Sequence, residues 1–253
     1  MPPERQVWRE GAQVSSQAVA SGVFKRYAQR AEVLPHCLVR IAQTGEKPWR
    51  EQSLQLAFPL KRAIDVLLSA AGLVAIAPLL AVLGIVIKLD SPGPVLYCAP
   101  RAGRRGRTFL CYKLRTMTAD ADQFKEQLRL RNERRGPFFK VASDPRITRV
   151  GRLLRRYSLD ELPQLWNVLR GEMSLVGPRP HPLDDFERYQ PEDMRRLEVT
   201  PGLTGLWQVT ARGDPSFVRN VELDLEYIEH WSLGLDLRIL WRTIPAVLQG
   251  TGV

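Results

Sequence analysis

The sequence predicts a mostly helical α/β protein with a small β element and one apolar helix that attaches it to a membrane. Of its 253 residues, 44% are hydrophobic, which is ample for a buried core. Residues 66–87 contain no charged side chain, and an apolar run of this length is typical of a membrane helix. Two short apolar segments flank a loop rich in glycine and arginine, and they predict a pair of strands.

The charge and the cysteine content narrow the class of protein. Lys and Arg number 37 and Asp and Glu 27, so the formal net charge is +10. This charge suggests a polyanionic partner, such as nucleic acid, an anionic membrane face or a phosphate-bearing substrate. Three cysteines with no Cys-x-x-Cys pair disfavour a disulfide framework and structural zinc, and they indicate a reducing compartment.

Three regions follow one another along the chain. Residues 1–58 show mixed polarity and no motif, and they are interpreted as an N-terminal tail or appendage. The pattern of a secretory signal is absent from the first thirty residues, so we expect the N-terminus to stay in the cytoplasm. Residues 59–90 form the membrane segment, and residues 91–253 are expected to form a cytosolic domain.

The membrane segment has two features that argue against a simple crossing. Pro78 lies near the middle of the apolar run, where proline removes a backbone donor and bends a helix. Lys61 and Arg62 precede the run and Lys88 follows it, so both ends prefer the cytoplasmic face. A helix that enters the membrane, bends at Pro78 and returns fits these features, while a kinked span and a buried core helix stay open.

The remaining elements are predicted from local patterns. After a Pro/Gly turn, residues 95–97 and 108–112 are expected to pair as two short strands. Residues 144–156 place arginines and apolar side chains on opposite faces of a helix, which is typical of an amphipathic helix lying in a membrane interface. A solvated surface helix is the alternative. Residues 216–230 and 235–248 predict two further amphipathic helices.

The densest set of candidate functional residues lies in residues 155–180. Asp160 and Glu161 precede Pro163 and an apolar helical pattern, which puts them at or near a helix N-terminus, where carboxylates and phosphates are favoured. The spacing of Ser158 and Glu161 also matches a capping box, which is a structural role. Pro163 fits such a box poorly, because proline is tolerated only at the earliest helical positions.

The chemistry that these residue types allow is phosphoryl transfer. A carboxylate can attack phosphorus and form an acyl phosphate when a divalent cation and arginines neutralise the phosphoryl oxygens. Arg155 and Arg156 lie one turn before the two carboxylates and could clamp an oxyanion. This short stretch therefore supplies a nucleophile, a second carboxylate and guanidinium groups.

Four segments carry the motifs of one family in order: KLRTM (113–117), DPRITRVGRLLRRYSLDELPQLWNVLRGEMSLVGPRP (144–180), TPGLTGLWQVTARG (200–213) and LDLEYIEHWSLGLDLRIL (223–240). From about residue 59 to the C-terminus the chain resembles the bacterial sugar transferases, the monotopic phosphoglycosyl transferases. The resemblance implies a monotopic membrane protein whose residues 59–90 form a re-entrant helix-break-helix. The family breaks this helix at a Ser-Pro pair, whereas this chain has Ala77-Pro78, so the depth and angle of the bend stay open.

The resemblance also implies roles for individual residues. Asp160 matches the catalytic nucleophile, and Glu161 matches the second catalytic carboxylate, which assists the metal site or proton transfer. Both are implied ligands of Mg²⁺, the expected cofactor. The residues implied to bind substrate are Lys113, Arg115, Arg155, Pro178, Arg179, Pro180, Arg212 and Asp236.

The activity implied by the resemblance is transfer of hexose 1-phosphate from a UDP-sugar, preferably UDP-glucose or UDP-galactose, to undecaprenyl phosphate. It would release UMP through a covalent aspartyl intermediate and initiate exopolysaccharide, capsule or O-antigen synthesis at the cytoplasmic face of the bacterial inner membrane. Membrane lipid is an expected partner, a homodimer stays open, and nucleic acid is not expected, because the aromatics do not alternate with the arginines as stacking platforms. The alternative is a membrane-anchored scaffold or binding protein of the same fold without turnover.

Overall fold

A computed structural model of the chain describes residues 51–121, 123–124, 127, 144–183, 189–214 and 216–250, all within the compact unit Gly45–Val253. The tail predicted over residues 1–58 lies mostly outside these residues. The helices are α1 (Glu51–Asp90), α2 (Arg149–Arg156), α3 (Gln164–Arg170), α4 (Leu206–Thr210), α5 (Phe217–Glu229) and α6 (Leu233–Leu248). The strands are β1 (Leu96–Ala102), β2 (Thr108–Leu114), β3 (Ser174–Val176) and β4 (Gly202–Thr204), and 3₁₀ helices cover Arg104–Gly106, Leu159–Glu161 and Pro191–Glu198.

This inventory confirms a mostly helical protein with a small β element. Strands β1 and β2 form the predicted antiparallel hairpin, with Leu96 opposite Leu114 and Ala102 opposite Thr108. Each strand is longer than the sequence pattern indicated. A second pair, β3 and β4, is parallel and was not predicted, because three-residue strands carry too few positions to show an alternating pattern.

Helix α1 includes the predicted membrane segment. An 18-residue window within Ala57–Asp90 has a mean hydropathy of 2.7, and α1 is the one helix among the described residues that is long and apolar enough to cross a membrane. The helix is continuous across Pro59 and Pro78, and it begins at Glu51, inside the region assigned to the N-terminal appendage. The break at Pro78 therefore stays a prediction. Large apolar side chains on α1 are exposed, among them Val74 at 78% and Leu89 at 82%.

Both ends of α1 are bound to the folded body. Near its start, Arg62 donates hydrogen bonds of 2.6 and 2.8 Å to the carbonyls of Val168 and Leu169 at the end of α3. The carboxylate of Asp65 accepts a 3.0 Å hydrogen bond from the backbone of Leu175 in β3. At its other end, Asp90 accepts a 3.4 Å bond from the backbone N–H of Val150 in the first turn of α2.

The main core lies between α3, β3 and the last two helices. Its buried members are Cys111, Leu165, Val168, Met173, Leu175, Val176, Tyr227, Ile228 and Ile239, and Leu73 and Ile76 of α1 pack against them. Asn167 of α3 is fully buried, accepts a 3.0 Å bond from the N–H of Tyr112 and donates a 2.6 Å bond to the carbonyl of Leu110. The amide thereby ties α3 to strand β2.

The predicted amphipathic helix over residues 144–156 is shorter than expected. Helix α2 begins at Arg149, and Thr148 caps its N-terminus by accepting a bond from the N–H of Gly151. Before it, Asp144 and Arg146 form a buried ion pair of 2.6 Å, so Arg146 does not contribute to a basic helix face. Pairing Asp144 with a residue two positions later favours a turn over a helix, because residues two apart do not share a helix face.

The helices predicted near the C-terminus are confirmed as α5 and α6. Ser216 caps α5 and Ser232 caps α6, each by accepting a bond from the N–H three residues later. Side chains at Leu237, Trp241, Ile244 and Leu248 form an exposed apolar stripe along α6, with Trp241 76% exposed. Trp231, in contrast, stacks on Phe58 with ring centroids 4.8 Å apart, so this ring serves packing.

Candidate active site

Two basic side chains from separate elements meet at Glu161. Lys113, near the end of β2, contacts Glu161 with its Nζ 2.7 Å from Oε1. Arg179, which follows β3, donates from both terminal nitrogens, at 2.5 Å to Oε1 and 3.2 Å to Oε2. The two-pronged contact of guanidinium and carboxylate is the strong geometry for such a pair. Glu161 therefore joins the hairpin, the 3₁₀ helix Leu159–Glu161 and the segment after β3.

Asp160 lies beside this cluster in a different environment. It is 7% exposed, and its Oδ2 lies 4.0 Å from Lys113 Nζ. Within the described part of the chain, its carboxylate accepts no hydrogen bond. Asp160 is thus a buried carboxylate whose described contact is the ion pair with Lys113 at 4.0 Å, next to a neighbour whose oxygens are engaged.

The pKa values of the two carboxyl groups are shifted in opposite directions. Burial raises the pKa of Asp160, and the neighbouring charge of Glu161 adds to the effect, while Lys113, Arg155 and Arg179 oppose it. Burial also acts to raise the pKa of Glu161, but Arg179 and Lys113 outweigh it and hold that pKa well below its ordinary value. Glu161 is therefore the firmly ionised partner, and Asp160 is the more basic carboxylate.

Arg155 approaches the pair from the last turn of α2. Its Nε donates a 2.8 Å hydrogen bond to Thr116 Oγ1 in the segment after β2. Helix α2 can lie this close because residue 151 is glycine: a Cβ there would collide with the carbonyl of Thr116. Burial lowers the pKa of the Arg155 guanidinium, and Asp160 acts in the opposite direction, so Arg155 lies within the field of the nucleophile candidate.

The Pro178-Arg179-Pro180 segment is held by the strand pair β3–β4. The N–H of Gly177 donates to the carbonyl of Thr204 at 2.9 Å, and the N–H of Gly202 donates to the carbonyl of Pro178 at 2.8 Å. A Cβ at Gly177 or Gly202 would clash with the backbone of the other segment. The distant VGPRP and TPGLTG motifs are therefore two halves of one structural unit. Pro178 and Pro180 line a cleft together with His181 and Tyr189.

A buried ion pair behind Arg179 was not predicted. Arg196 donates to the carboxylate of Asp224 and, at 3.1 Å, to the backbone carbonyl of Arg179. Burial raises the pKa of Asp224 to about 6, against the effect of Arg196. A sequence signal existed in α5, because Asp224 shares the buried helix face with Val221 and Ile228, and a carboxylate on an apolar face needs a partner.

The capping box predicted as an alternative for Ser158 and Glu161 is not formed. Ser158 makes no side-chain cap, and its hydroxyl instead accepts a 2.6 Å hydrogen bond from Arg212. The carboxylate of Glu161 is engaged by Lys113 and Arg179. This excludes the capping role for Glu161, and the structure places Arg212 against the segment that carries the two carboxylates.

Arg115 lies away from the carboxylates, although it is two residues after Lys113. Its Nη2 donates to the carbonyl of Ile87 at 3.3 Å and to the carbonyl and hydroxyl of Ser91 at 2.6 and 3.1 Å. Strand β2 ends at Leu114, so the alternation that would place residues 113 and 115 on one face no longer applies. Arg115 therefore binds carbonyl groups at the C-terminal end of α1.

Asp236 also belongs to a separate cluster. Its carboxylate contacts Lys61 Nζ at 2.6 Å and accepts bonds from Tyr227 at 2.8 Å and Trp231 at 3.2 Å. Lys61 also donates to the carbonyl of Val176 at 3.1 Å. The structure therefore gives Asp236 the partners of a residue that joins the start of α1 to α5 and α6. Of the predicted substrate-binding residues, Lys113, Arg155 and Arg179 surround Asp160 and Glu161.

Few of the described side chains at the site could bind a metal ion. No group of three or more His, Cys, Asp or Glu side chains that could hold a metal ion occurs among the described residues. Mg²⁺ is commonly held by one or two carboxylates together with substrate phosphates. The unengaged oxygens of Asp160 fit this role, and Glu161 could share only Oε2, which has one contact, with Arg179.

Comparison with known proteins gives consistent matches. The sequence model described as bacterial sugar transferase matches residues 56–250, a range that includes every residue of the site. Galactosyl transferase CpsE of Streptococcus agalactiae is 43% identical over 193 residues, which cover 76% of this chain and 43% of that protein. ExoY of Rhizobium meliloti, an exopolysaccharide production protein, is 42% identical over 196 residues, which cover 76% of this chain and 87% of ExoY.

A third relative is the undecaprenyl-phosphate glucose phosphotransferase of Komagataeibacter xylinus. It is 45% identical over 198 residues, which cover 73% of this chain and 35% of that protein. The chain thus spans less than half the length of CpsE and of this relative, and most of the length of ExoY.

Proposed function

The chain belongs to the bacterial sugar transferase family, and from this membership we propose that it transfers hexose 1-phosphate from a UDP-sugar to undecaprenyl phosphate. The observation that carries the proposal is Asp160, a buried carboxylate that accepts no hydrogen bond within the described residues and lies among Lys113, Arg155 and Arg179. A buried carboxylate oxygen that accepts no hydrogen bond and lies beside several cations suits attack on a phosphorus atom. The names of the relatives, which concern galactose, glucose and exopolysaccharide, support the substrate class.

In the first half-reaction, a carboxylate oxygen of Asp160 attacks the phosphorus that bears the hexose. A bond forms between that oxygen and phosphorus, and the bond from phosphorus to the oxygen bridging the two phosphates breaks. The bonding electron pair leaves with the bridging oxygen on UMP, so no proton has to be transferred. The raised pKa of Asp160 makes it the better nucleophile of the two carboxylates once it is ionised.

In the second half-reaction, a phosphate oxygen of the lipid attacks the same phosphorus. The acyl phosphate bond breaks, its electron pair returns to Asp160, and the product is a lipid diphosphate sugar. Arg155 and Lys113 face the developing charge on the phosphoryl oxygens in both steps. Arg179 holds Glu161 ionised, and Glu161 in turn keeps Lys113 beside Asp160, at 2.7 Å from its own Oε1.

Mg²⁺ is the proposed cofactor, held by Asp160, with Glu161 able to contribute Oε2. When bound, it would supply charge neutralisation at the donor diphosphate. We expect EDTA to stop UMP release and added Mg²⁺ to restore it. The unfolding temperature in EDTA should stay unchanged, because no group of three or more metal-binding side chains occurs among the described residues. Full turnover in chelator would contradict the metal requirement.

The proposed donor is UDP-glucose or UDP-galactose, and the proposed role is to initiate exopolysaccharide, capsule or O-antigen synthesis. The experiment that tests the function is incubation of the purified full chain with Mg²⁺, polyprenyl phosphate and one UDP-sugar at a time, with UMP and lipid-linked sugar as the readouts. We expect one hexose donor to give both products. Release of neither product from any UDP-sugar would contradict the proposed function and leave the scaffold alternative.

We further propose that the protein is attached to the cytoplasmic face of the inner membrane by α1 as a re-entrant helix. Contacts at both ends of α1 support this topology: Asp65 with the backbone of Leu175, and Asp90 with the backbone of Val150. A crossing would separate these ends by about 30 Å of hydrocarbon. One folded body that contacts both ends would then have to extend through the membrane beside the helix.

The topology is testable by labelling single cysteines at exposed ends of α1. We expect Leu60→Cys and Leu89→Cys, in a variant that lacks Cys37, Cys98 and Cys111, to resist a membrane-impermeant maleimide in intact spheroplasts and to react after permeabilisation. Leu60 is 52% exposed and Leu89 82% exposed, so both can react when the reagent has access. Labelling of either position from outside would contradict the cytoplasmic placement of both ends.

A further inference from the structure

The residue two positions before Asp160 has an uncommon backbone conformation. Ser158 has φ 55° and ψ 22°, in the left-handed region, and Arg105 is the other described residue besides glycine with a positive φ. This region disfavours residues with a Cβ, so a serine stays there only when its surroundings hold it. The conformation ends α2 and starts the 3₁₀ helix Leu159–Glu161.

Arg212 holds this turn in place with a hydrogen bond to Ser158. Its Nη2 donates a 2.6 Å hydrogen bond to the Ser158 hydroxyl, and its Nη1 donates to the carbonyl of Ala246 in α6 at 3.3 Å. The bond to serine occupies the hydroxyl that would otherwise cap the following amides. Arg212 therefore ties the start of the catalytic turn to the last helix of the chain.

Two backbone hydrogen bonds of this turn link the conformation of Ser158 to the position of Asp160. The N–H of Ser158 donates to the carbonyl of Arg155 at 3.0 Å, and the N–H of Glu161 donates to the carbonyl of Ser158 at 3.1 Å. Asp160 lies inside the turn that the second bond closes, so the position of its backbone follows from the dihedral angles of Ser158. A rotation of Ser158 would move Asp160 relative to Lys113.

We propose that Arg212 serves the reaction as a positioning residue that acts through Ser158, and that Ser158 is a second positioning residue for the nucleophile. The family resemblance implies instead that Arg212 binds substrate directly. The two roles differ in which kinetic constant they control: a positioning contact governs kcat, whereas a direct contact with the donor governs KM for the donor. This inference deepens the proposed function, and its rate measurements rest on it.

The test is a double-mutant cycle with Ser158→Ala, Arg212→Gln and the double variant, in full-length protein with the donor and acceptor that give turnover. A hydrogen bond to a charged group is worth enough that each single change should lower kcat roughly 10- to 100-fold at little change in donor KM. The double variant should fall no further than the worse single variant, because the contact between Ser158 and Arg212 is already lost in either single variant. Ser158→Gly should lose less than Ser158→Ala, since glycine adopts positive φ readily.

Two measurements separate this inference from its rivals. Amide hydrogen exchange by mass spectrometry should show faster exchange over residues 158–162 in Ser158→Ala and Arg212→Gln, and an unchanged rate in the control Arg219→Gln, whose ion pair with Glu222 is exposed. This readout needs no turnover, so it decides the inference even if the proposed function fails. A raised donor KM confined to Arg212→Gln, additive effects, or unchanged exchange would overturn the inference.

Discussion

Asp160→Asn should abolish turnover, with a fall in kcat of roughly 10⁴-fold or more, because an amide cannot form the acyl phosphate. The substitution preserves the shape of the side chain. Burial already raises the pKa of this carboxyl, so removal of its charge should leave the unfolding temperature unchanged or raise it. The loss of activity would then not come from a loss of fold. The measurement is UMP release under saturating donor and acceptor.

A matched control for this variant is Glu222→Gln, which removes an exposed carboxylate of α5 whose partner is Arg219. It should retain the activity of the parent. Turnover by Asp160→Asn at a rate near that of the control would mean that another residue is the nucleophile.

The second large effect is expected from Arg179→Gln. This change removes two hydrogen bonds to Glu161 and leaves Lys113 as its remaining partner among the described residues. Because Arg179 is the main group that holds the pKa of Glu161 low, that pKa should rise toward its ordinary value or above. We expect kcat to fall roughly 10²- to 10³-fold, a magnitude typical of losing a preorganised electrostatic contact.

The pH profile of this variant provides the sharper measurement. In the parent protein the acid limb should report Asp160: activity falls as pH decreases through its raised pKa, while Glu161 stays ionised. In Arg179→Gln, Glu161 also becomes protonated as pH falls, so the acid limb should move to higher pH and become steeper. An unshifted profile with only a raised donor KM would show that Arg179 contacts substrate without supporting Glu161.

The parts of the fold that the sequence predicts are those with local signals. The β1–β2 hairpin follows from short apolar segments around a glycine-rich loop, and helices α5 and α6 follow from amphipathic periodicity. Arg155, Asp160 and Glu161 lie within six positions of one another, so their proximity is likewise expected from the sequence. Each of these depends on neighbours within a few residues.

Long-range pairing is what the sequence does not reveal. Lys113 and Arg115 share a motif, yet the first contacts Glu161 and the second closes the end of α1, because β2 ends between them. Asp236 is paired with Lys61, 175 residues away. No periodicity encodes which carboxylate meets which cation when the partners belong to distant elements. The buried pair of Arg196 and Asp224 lacks a local signal for the same reason, except that Asp224 lies on an apolar helix face.

The backbone at Ser158 shows a further limit of pattern analysis. Its spacing to Glu161 matches a capping box, but the structure places the residue in the left-handed region and gives its hydroxyl to Arg212. The sequence allows two interpretations of residues 158–161: a capping box, or a functional pair of carboxylates. The hydrogen bond from Arg212 to the Ser158 hydroxyl favours the second. The backbone conformation two positions before Asp160 is thus held by a contact that crosses 54 positions in the chain.

The most direct test of the account is the intact mass of the full chain after incubation with Mg²⁺ and the UDP-sugar that supports turnover, with no lipid acceptor present. The account predicts a species heavier by one hexose phosphate, absent from Asp160→Asn and discharged when polyprenyl phosphate is added. An unmodified mass throughout, together with UMP release only when donor and acceptor are both present, would contradict the covalent aspartyl intermediate.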